Sequence, residues 1–168
     1  NIRFRYLYAK ELYNFNQTDQ SISEFEKIIE EFKNSNDSFL DYLYPAFITL
    51  SDSYKKIGQI EKSLETLLKV LKYDIPPSEC CCKIGDYYMD KKDYLAASFW
   101  NEMAIENAKK YEKCRSNSTN YDAFTPYINL CVCYWHLGDK EKSYKCNEEA
   151  GKIKPNNPTY LNNKAIFE

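Results

Sequence analysis

At 168 residues, with 25 acidic against 23 basic side chains and a net charge of −2, the chain has room for one domain and no field that would draw nucleic acid. Its apolar runs stop after a few residues, far short of the roughly 20 that a membrane-spanning helix needs, and no signal-peptide core opens it. Four glycines, six prolines and abundant Leu, Ile, Lys and Glu point to helices, while the alternating β-branched runs of strands are missing.

The spacing predicts a first helix over residues 2–15, closed by the polar turn Asn16-Gln17-Thr18. A second covers 19–33, with Ile22, Phe25, Ile28 and Ile29 on one face, and Asn34-Ser35-Asn36-Asp37 breaks it. The third covers 38–56 with Gly58 as its C-terminal stop, and Pro45 would move its start toward Tyr44. Its partner spans 60–73, ahead of Pro76-Pro77. Residues 78–90 and 93–111 make the next pair, and 113–122 reads as an inserted loop. Thr125 as N-cap and Pro126 in the first turn open a helix that reaches Leu137 and stops at Gly138. Its partner over 141–154 ends at Pro155, and Asn157-Pro158 opens a short last helix.

The same spaced residues recur along these elements. Tyr54, Tyr88 and Tyr134 are each preceded, three residues earlier, by Ser51, Gly85 or Cys131. Nine residues after each tyrosine stands Ser63, Ala97 or Ser143, and seven further on Val70, Ala104 or Ala150. The first two copies are 34 residues apart and the third follows after 46, a period plus a 12-residue insertion. Ala9 and Ser21 mark a degenerate copy ahead of them, again 12 residues apart. Small residues at these places let two helices approach to about 8 Å. A 34-residue period of this kind resembles the tetratricopeptide repeat, a pair of antiparallel helices that stacks on its neighbours. The resemblance implies an all-α single domain over 1–168. Four helix pairs at 2–34, 44–77, 78–112 and 124–157, with a capping helix at 158–166, would stack in a right-handed superhelix. Asn101 and Asn147 depart from it, standing where that repeat usually carries a large aromatic residue.

The run Thr125-Pro126-Tyr127-Ile128-Asn129-Leu130-Cys131-Val132-Cys133-Tyr134, then Leu137-Gly138-Asp139 and Ala150-Gly151-Lys152-Ile153-Lys154-Pro155, resembles the C-terminal region of bacterial repeat-containing glycosyltransferases. Pro77-Ser78-Glu79, Ile84-Gly85-Asp86-Tyr87-Tyr88 and Ser98-Phe99-Trp100 extend the likeness over 77–168. It implies a non-catalytic scaffolding tail behind an upstream GT-A-type catalytic domain. The Asp-x-Asp metal motif of that domain is absent here, so no catalytic residue, cofactor or metal site is carried over. Asn1 in place of a methionine reads the same way, as an internal fragment. The competing expectation is an adaptor or regulator with no enzymatic parent.

Seven cysteines, Cys80, Cys81, Cys82, Cys114, Cys131, Cys133 and Cys146, form no disulfide framework and suit a reducing, cytoplasmic setting. Neighbouring cysteines on a helix point about 100° apart rather than converging on a metal, so Cys81 and Cys131 read as small packing groups. Cys133 and His136 sit at i, i+3 but lack a third orienting group. In the resembled repeats the first helix of each pair lines a concave surface that binds proteins or peptides. Projected onto this chain, that surface collects Tyr6, Lys10, Tyr13, Asp52, Lys55, Lys56, Glu79, Asp86, Met89, Asp90, Ile128, Val132, Trp135 and His136. The lysines and asparagines by which some such repeats clamp a peptide carboxylate are not in place: their positions hold Ile48, Asp52, Lys83, Thr125 and Asn129. The expected partner is a protein or peptide anchored at Trp135, among them a parent's catalytic domain, a polypeptide acceptor or a second copy.

Overall fold

The computed structural model of the chain describes residues 2–33, 40–73, 75–114 and 123–167, and every regular element among them is helical. In order these are α1 (Ile2–Asn14), α2 (Thr18–Lys33), α3 (Leu40–Lys56), α4 (Ile60–Leu68), α5 (Ser78–Asp90), α6 (Tyr94–Cys114), α7 (Phe124–His136), α8 (Lys140–Ile153) and α9 (Pro158–Phe167). A 3-10 turn over Lys69–Lys72 continues α4. The helices fall into two compact units, Asn1–Asp74 and Ile75–Glu168. In the first, α1 pairs with α2 and α3 with α4, and α2 packs on α3. In the second, α5 pairs with α6 and α7 with α8, α6 packs on α7, and α9 closes on α8. First helices also touch, α1 with α3 and α5 with α7.

Each pair is joined at the small residues twelve positions apart. The Ser21 hydroxyl donates to the Ala9 carbonyl at 2.9 Å, Ser51 and Ser63 share a hydrogen bond of 2.7 Å, and Ser143 donates to the Cys131 carbonyl at 2.7 Å. Between α5 and α6 the same place is filled without a hydroxyl: a Cβ added at Gly85 would lie 3.1 Å from Asn101 Cγ and 3.5 Å from the Ala97 carbonyl oxygen. Buried hydroxyls at helix contacts need partners, and the facing helix supplies them.

Every first helix ends in one repeated turn. Asn16, Gly58, Lys92 and Gly138 adopt φ of 61°, 79°, 60° and 83°. The next N–H then returns to the carbonyl five residues back, from Gln17 to Leu12, Gln59 to Tyr54, Asp93 to Tyr88 and Asp139 to Tyr134, each at 2.9 Å. Glycine takes this left-handed conformation freely, whereas a lysine is strained there. Lys92→Gly is therefore expected to raise the unfolding free energy by about 0.5–1 kcal/mol in urea titrations, the relieved strain exceeding the added chain entropy.

Two helix starts differ from the sequence expectation. α7 begins at Phe124, after Ala123 and without a side-chain cap, which leaves Thr125 inside the first turn. Phe124 is buried against Ala150 and Tyr160, and that contact draws the chain into the helix two residues early. Pro126 still sits in the turn whose N–H groups lack intrahelical partners. α3 runs through Pro45 rather than starting beside it, because Leu43, Tyr44, Ala46 and Phe47 bury their side chains around it. That burial outweighs the one backbone bond the imide cannot make. The end of the 113–122 insertion, residues 115–122, lies outside the described residues.

Candidate functional site

In the first unit, the residues assigned to the interaction face separate. Tyr6 is in the core, edge-on to Phe25 at 6.0 Å between ring centroids and tilted against Tyr42 at 5.6 Å, so little of its surface is left for a partner. Lys10, Lys55 and Lys56 are exposed, and Tyr13 and Asp52 are half-buried. The Lys56 ammonium lies 5.0 Å from the centre of the Tyr13 ring and donates to Asn16 Oδ1 at 2.5 Å, tying the ends of α3 and α1 together.

In the second unit, Asp86 and Met89 are half-buried on α5, with Glu79 and Asp90 exposed. On α7, Ile128 and Val132 are half-buried and Trp135 and His136 exposed. The residue that ties these helices is Asn129, which the sequence reading placed only among the missing clamp positions. Its amide donates to the Asp86 carboxylate at 2.8 Å and to Asn101 Oδ1 at 3.1 Å. Asn101, fully buried, in turn donates to the Ala97 carbonyl at 2.9 Å. The departure from the aromatic pattern thus has a physical reason: at Asn101 a hydrogen-bonded link replaces ring packing. Asn147 does the same toward α9, donating to the Tyr160 carbonyl at 3.3 Å.

Helices α7, α8 and α9 bound a cleft of about 200 Å³, lined among others by Val132, Trp135, His136, Asn163, Ile166 and Phe167. Trp135 is 39% exposed. Its ring meets the edge of Phe167 at 5.6 Å, and the Lys140 ammonium lies 5.3 Å from its centre. Phe167 is wedged on its other side against Tyr144 at 5.5 Å. His136 stacks flat on Tyr94, at 4.1 Å and 6°. α9 is seated through Tyr160, whose ring covers Gly151 so closely that an added Cβ would stand 2.9 Å from the phenol oxygen and overlap the ring. A helix read from sequence as a cap therefore also supplies a wall of this cleft.

The cysteines pack. Cys81 and Cys82 cluster with Ala104, flanked by Trp100 and Met103, and α5 buries Cys80, Cys81 and Cys82 alike. Burial pushes the Cys81 and Cys133 thiols up to about 12, the opposite of an activated nucleophile. Burial also raises the Cys80, Cys131 and Cys146 thiols above their usual range. Desolvation and then the hydrogen bond to a carboxylate raise two phenols, Tyr54 donating to Glu26 and Tyr134 to Glu102. In the unfolded chain a thiol ionises near 9.0. The stability held in these protonated groups is complete below that pH and is lost as pH climbs toward 12. The urea midpoint is therefore expected to hold level near neutrality and fall steadily above about pH 9; a midpoint unchanged to pH 11 would contradict it.

Antiparallel pairs joined at small residues twelve apart, each first helix closed by a left-handed turn, define a helical-repeat fold of the tetratricopeptide type. The tetratricopeptide repeat family's sequence profile matches residues 44–74. The chain is 30% identical over 112 residues to the 43 kDa receptor-associated protein of the synapse from Tetronarce californica, covering 63% of this chain and 26% of that protein. It is 29% identical over 151 residues to the protein of that name from Gallus gallus, covering 83% and 36%. The chain thus spans about a quarter to a third of the length of these curated relatives. The crystal structure of MamA superimposes with a TM-score of 0.66 at 19% identity, covering 88% of this chain and 74% of that one, a likeness of fold. Among the described residues no helix is long and apolar enough to cross a membrane.

Proposed function

We propose that this chain is a non-catalytic protein-interaction module, and that a peptide segment of a protein partner docks at the α7–α9 end of the second unit. The observation that carries this reading is the setting of Trp135: a large aromatic side chain on a rigid helix, half-exposed beside an apolar cleft and braced by Phe167 and Lys140. Tryptophan buries much area at small entropic cost, which is why it dominates binding energy at many interfaces. His136 and Asn163 supply a polar rim that can orient a backbone. The cleft has room for a single large apolar side chain.

Of the two settings the sequence allows, an adaptor and the tail of a glycosyltransferase, the curated relatives favour the adaptor. They are named as receptor-associated proteins, and the corresponding role here is to hold one protein against another. The residue runs over 77–100 and 125–155 support the second setting, in which the partner is a catalytic domain or its polypeptide acceptor. Selection of a displayed random peptide library on the purified chain tests the shared claim: enriched peptides should carry a large apolar residue and lose binding to Trp135→Ala. Peptides that bind that variant as well as the parent chain place the surface elsewhere.

A further inference from the structure

Helix α1 carries an apolar face left exposed to solvent. Phe4, Leu7 and Tyr8 recur at i, i+3 and i+4, close to one whole turn, and are 68%, 44% and 57% exposed. A solvated helix face is ordinarily polar or charged. The internal repeat identifies what this face is for. Ala9, Ser51 and Cys131 are equivalent, so Phe4 and Tyr8 correspond to Ala46 and Leu50 of α3 and to Pro126 and Leu130 of α7. All four of those residues are buried.

In both cases the second helix of the preceding pair packs against the helix that bears them. Leu50 and Tyr54 of α3 share a cleft with Glu26 and Ile29 of α2, and the Tyr54 hydroxyl donates to Glu26. On the other helix, Tyr134 donates to Glu102 and Asn129 to Asn101, both of α6.

We propose that the exposed face of α1 is a stacking surface, and that its occupant is the second helix of a further helix pair lying N-terminal to α1 in the same polypeptide. The repeat equivalence argues for this occupant, and the curated relatives run beyond the matched segments, which are 26% and 36% of their lengths. The chemistry of the occupant follows from the replaced residues. Rings at positions 4 and 8 are larger than the side chains they stand for, so the covering helix must present small residues opposite them. Glu11 occupies the place of the buried Ser53 and Cys133, and Cys133 lies near Asp86 of α5, the first helix of the preceding pair. The first helix of the further pair must therefore bring a cation or hydrogen-bond donor to the Glu11 carboxylate. The occupant is an amphipathic helix with small residues along its centre, and the basic or donor residue belongs to the helix paired with it.

Hydrogen exchange on the full-length polypeptide containing this chain, compared with the isolated 168 residues, tests the proposal. Amides of α1 should exchange at least about tenfold more slowly in the full-length polypeptide. Tyr8→Glu and Glu11→Lys should each remove most of that added protection there, yet leave the thermal unfolding of the isolated chain unchanged, since both side chains are exposed in it. Equal α1 exchange in the two polypeptides would overturn the proposal. So would dimerisation of the isolated chain that Tyr8→Glu abolishes without any added protection in the full-length polypeptide, because the occupant would then be a second copy.

Discussion

Gly85→Ala is expected to destabilise the second unit by about 2–3 kcal/mol in urea unfolding, although alanine is the better helix former by about 1 kcal/mol. Packing decides the sign. The added methyl would press into the Asn101 amide, which is fully buried and cannot retreat without giving up the Ala97 carbonyl and the Asn129 amide together. Leaving such groups unpaired costs about 1–3 kcal/mol, more than propensity returns. Asn101→Ala removes the obstacle, so the double variant should be more stable than the sum of the two single losses predicts. Strict additivity would mean that Gly85 is small for some other reason than Asn101.

Trp135→Ala should weaken binding of library-selected peptides by about 2 kcal/mol or more, some thirtyfold in Kd, while the helical circular dichroism and urea midpoint change little. The fold tolerates the loss because α7 is anchored through Leu130, Cys131 and Cys133, all buried, whereas Trp135 meets the edge of a single ring on α9. Loss of helicity in this variant would make Trp135 a core residue and deprive the cleft of its anchor. Unaltered affinity would move the binding surface away from α7 altogether.

The helix pairs were legible because their cause is local and periodic. Ser21, Ser63 and Ser143 each stand twelve residues after the residue they hydrogen-bond or contact, and a spacing that repeats can be read without coordinates. The stops at Asn16, Gly58 and Gly138 were legible for the same reason, while Lys92 hides the same turn behind a residue that does not advertise it. Details of the candidate site were harder. His136 stacks on Tyr94, 42 positions earlier, and Trp135 meets Phe167, 32 positions later, neither at a distance that the repeat fixes. Asn129 stands in one copy alone, opposite Lys83 in α5 and Thr49 in α3, so no period could pick it out as the link to Asp86 and Asn101.

The constant gap of twelve within each pair also bears on how quickly the chain can fold. A contact between residues twelve apart closes a short loop at small entropic cost, and the hydroxyl links between neighbouring pairs, Tyr54 to Glu26 and Tyr134 to Glu102, span only 28 and 32 residues. Chains ruled by such near-sequence contacts fold in microseconds to milliseconds rather than seconds. A hairpin of two helices can close as soon as both have left the ribosome, before the helices that will cover it exist. The spacing between pairs varies, at 42, 34 and 46 residues, while the spacing within them does not. Lengthening a connector between pairs should therefore leave the folding rate nearly untouched, and lengthening the turn inside a pair should slow it.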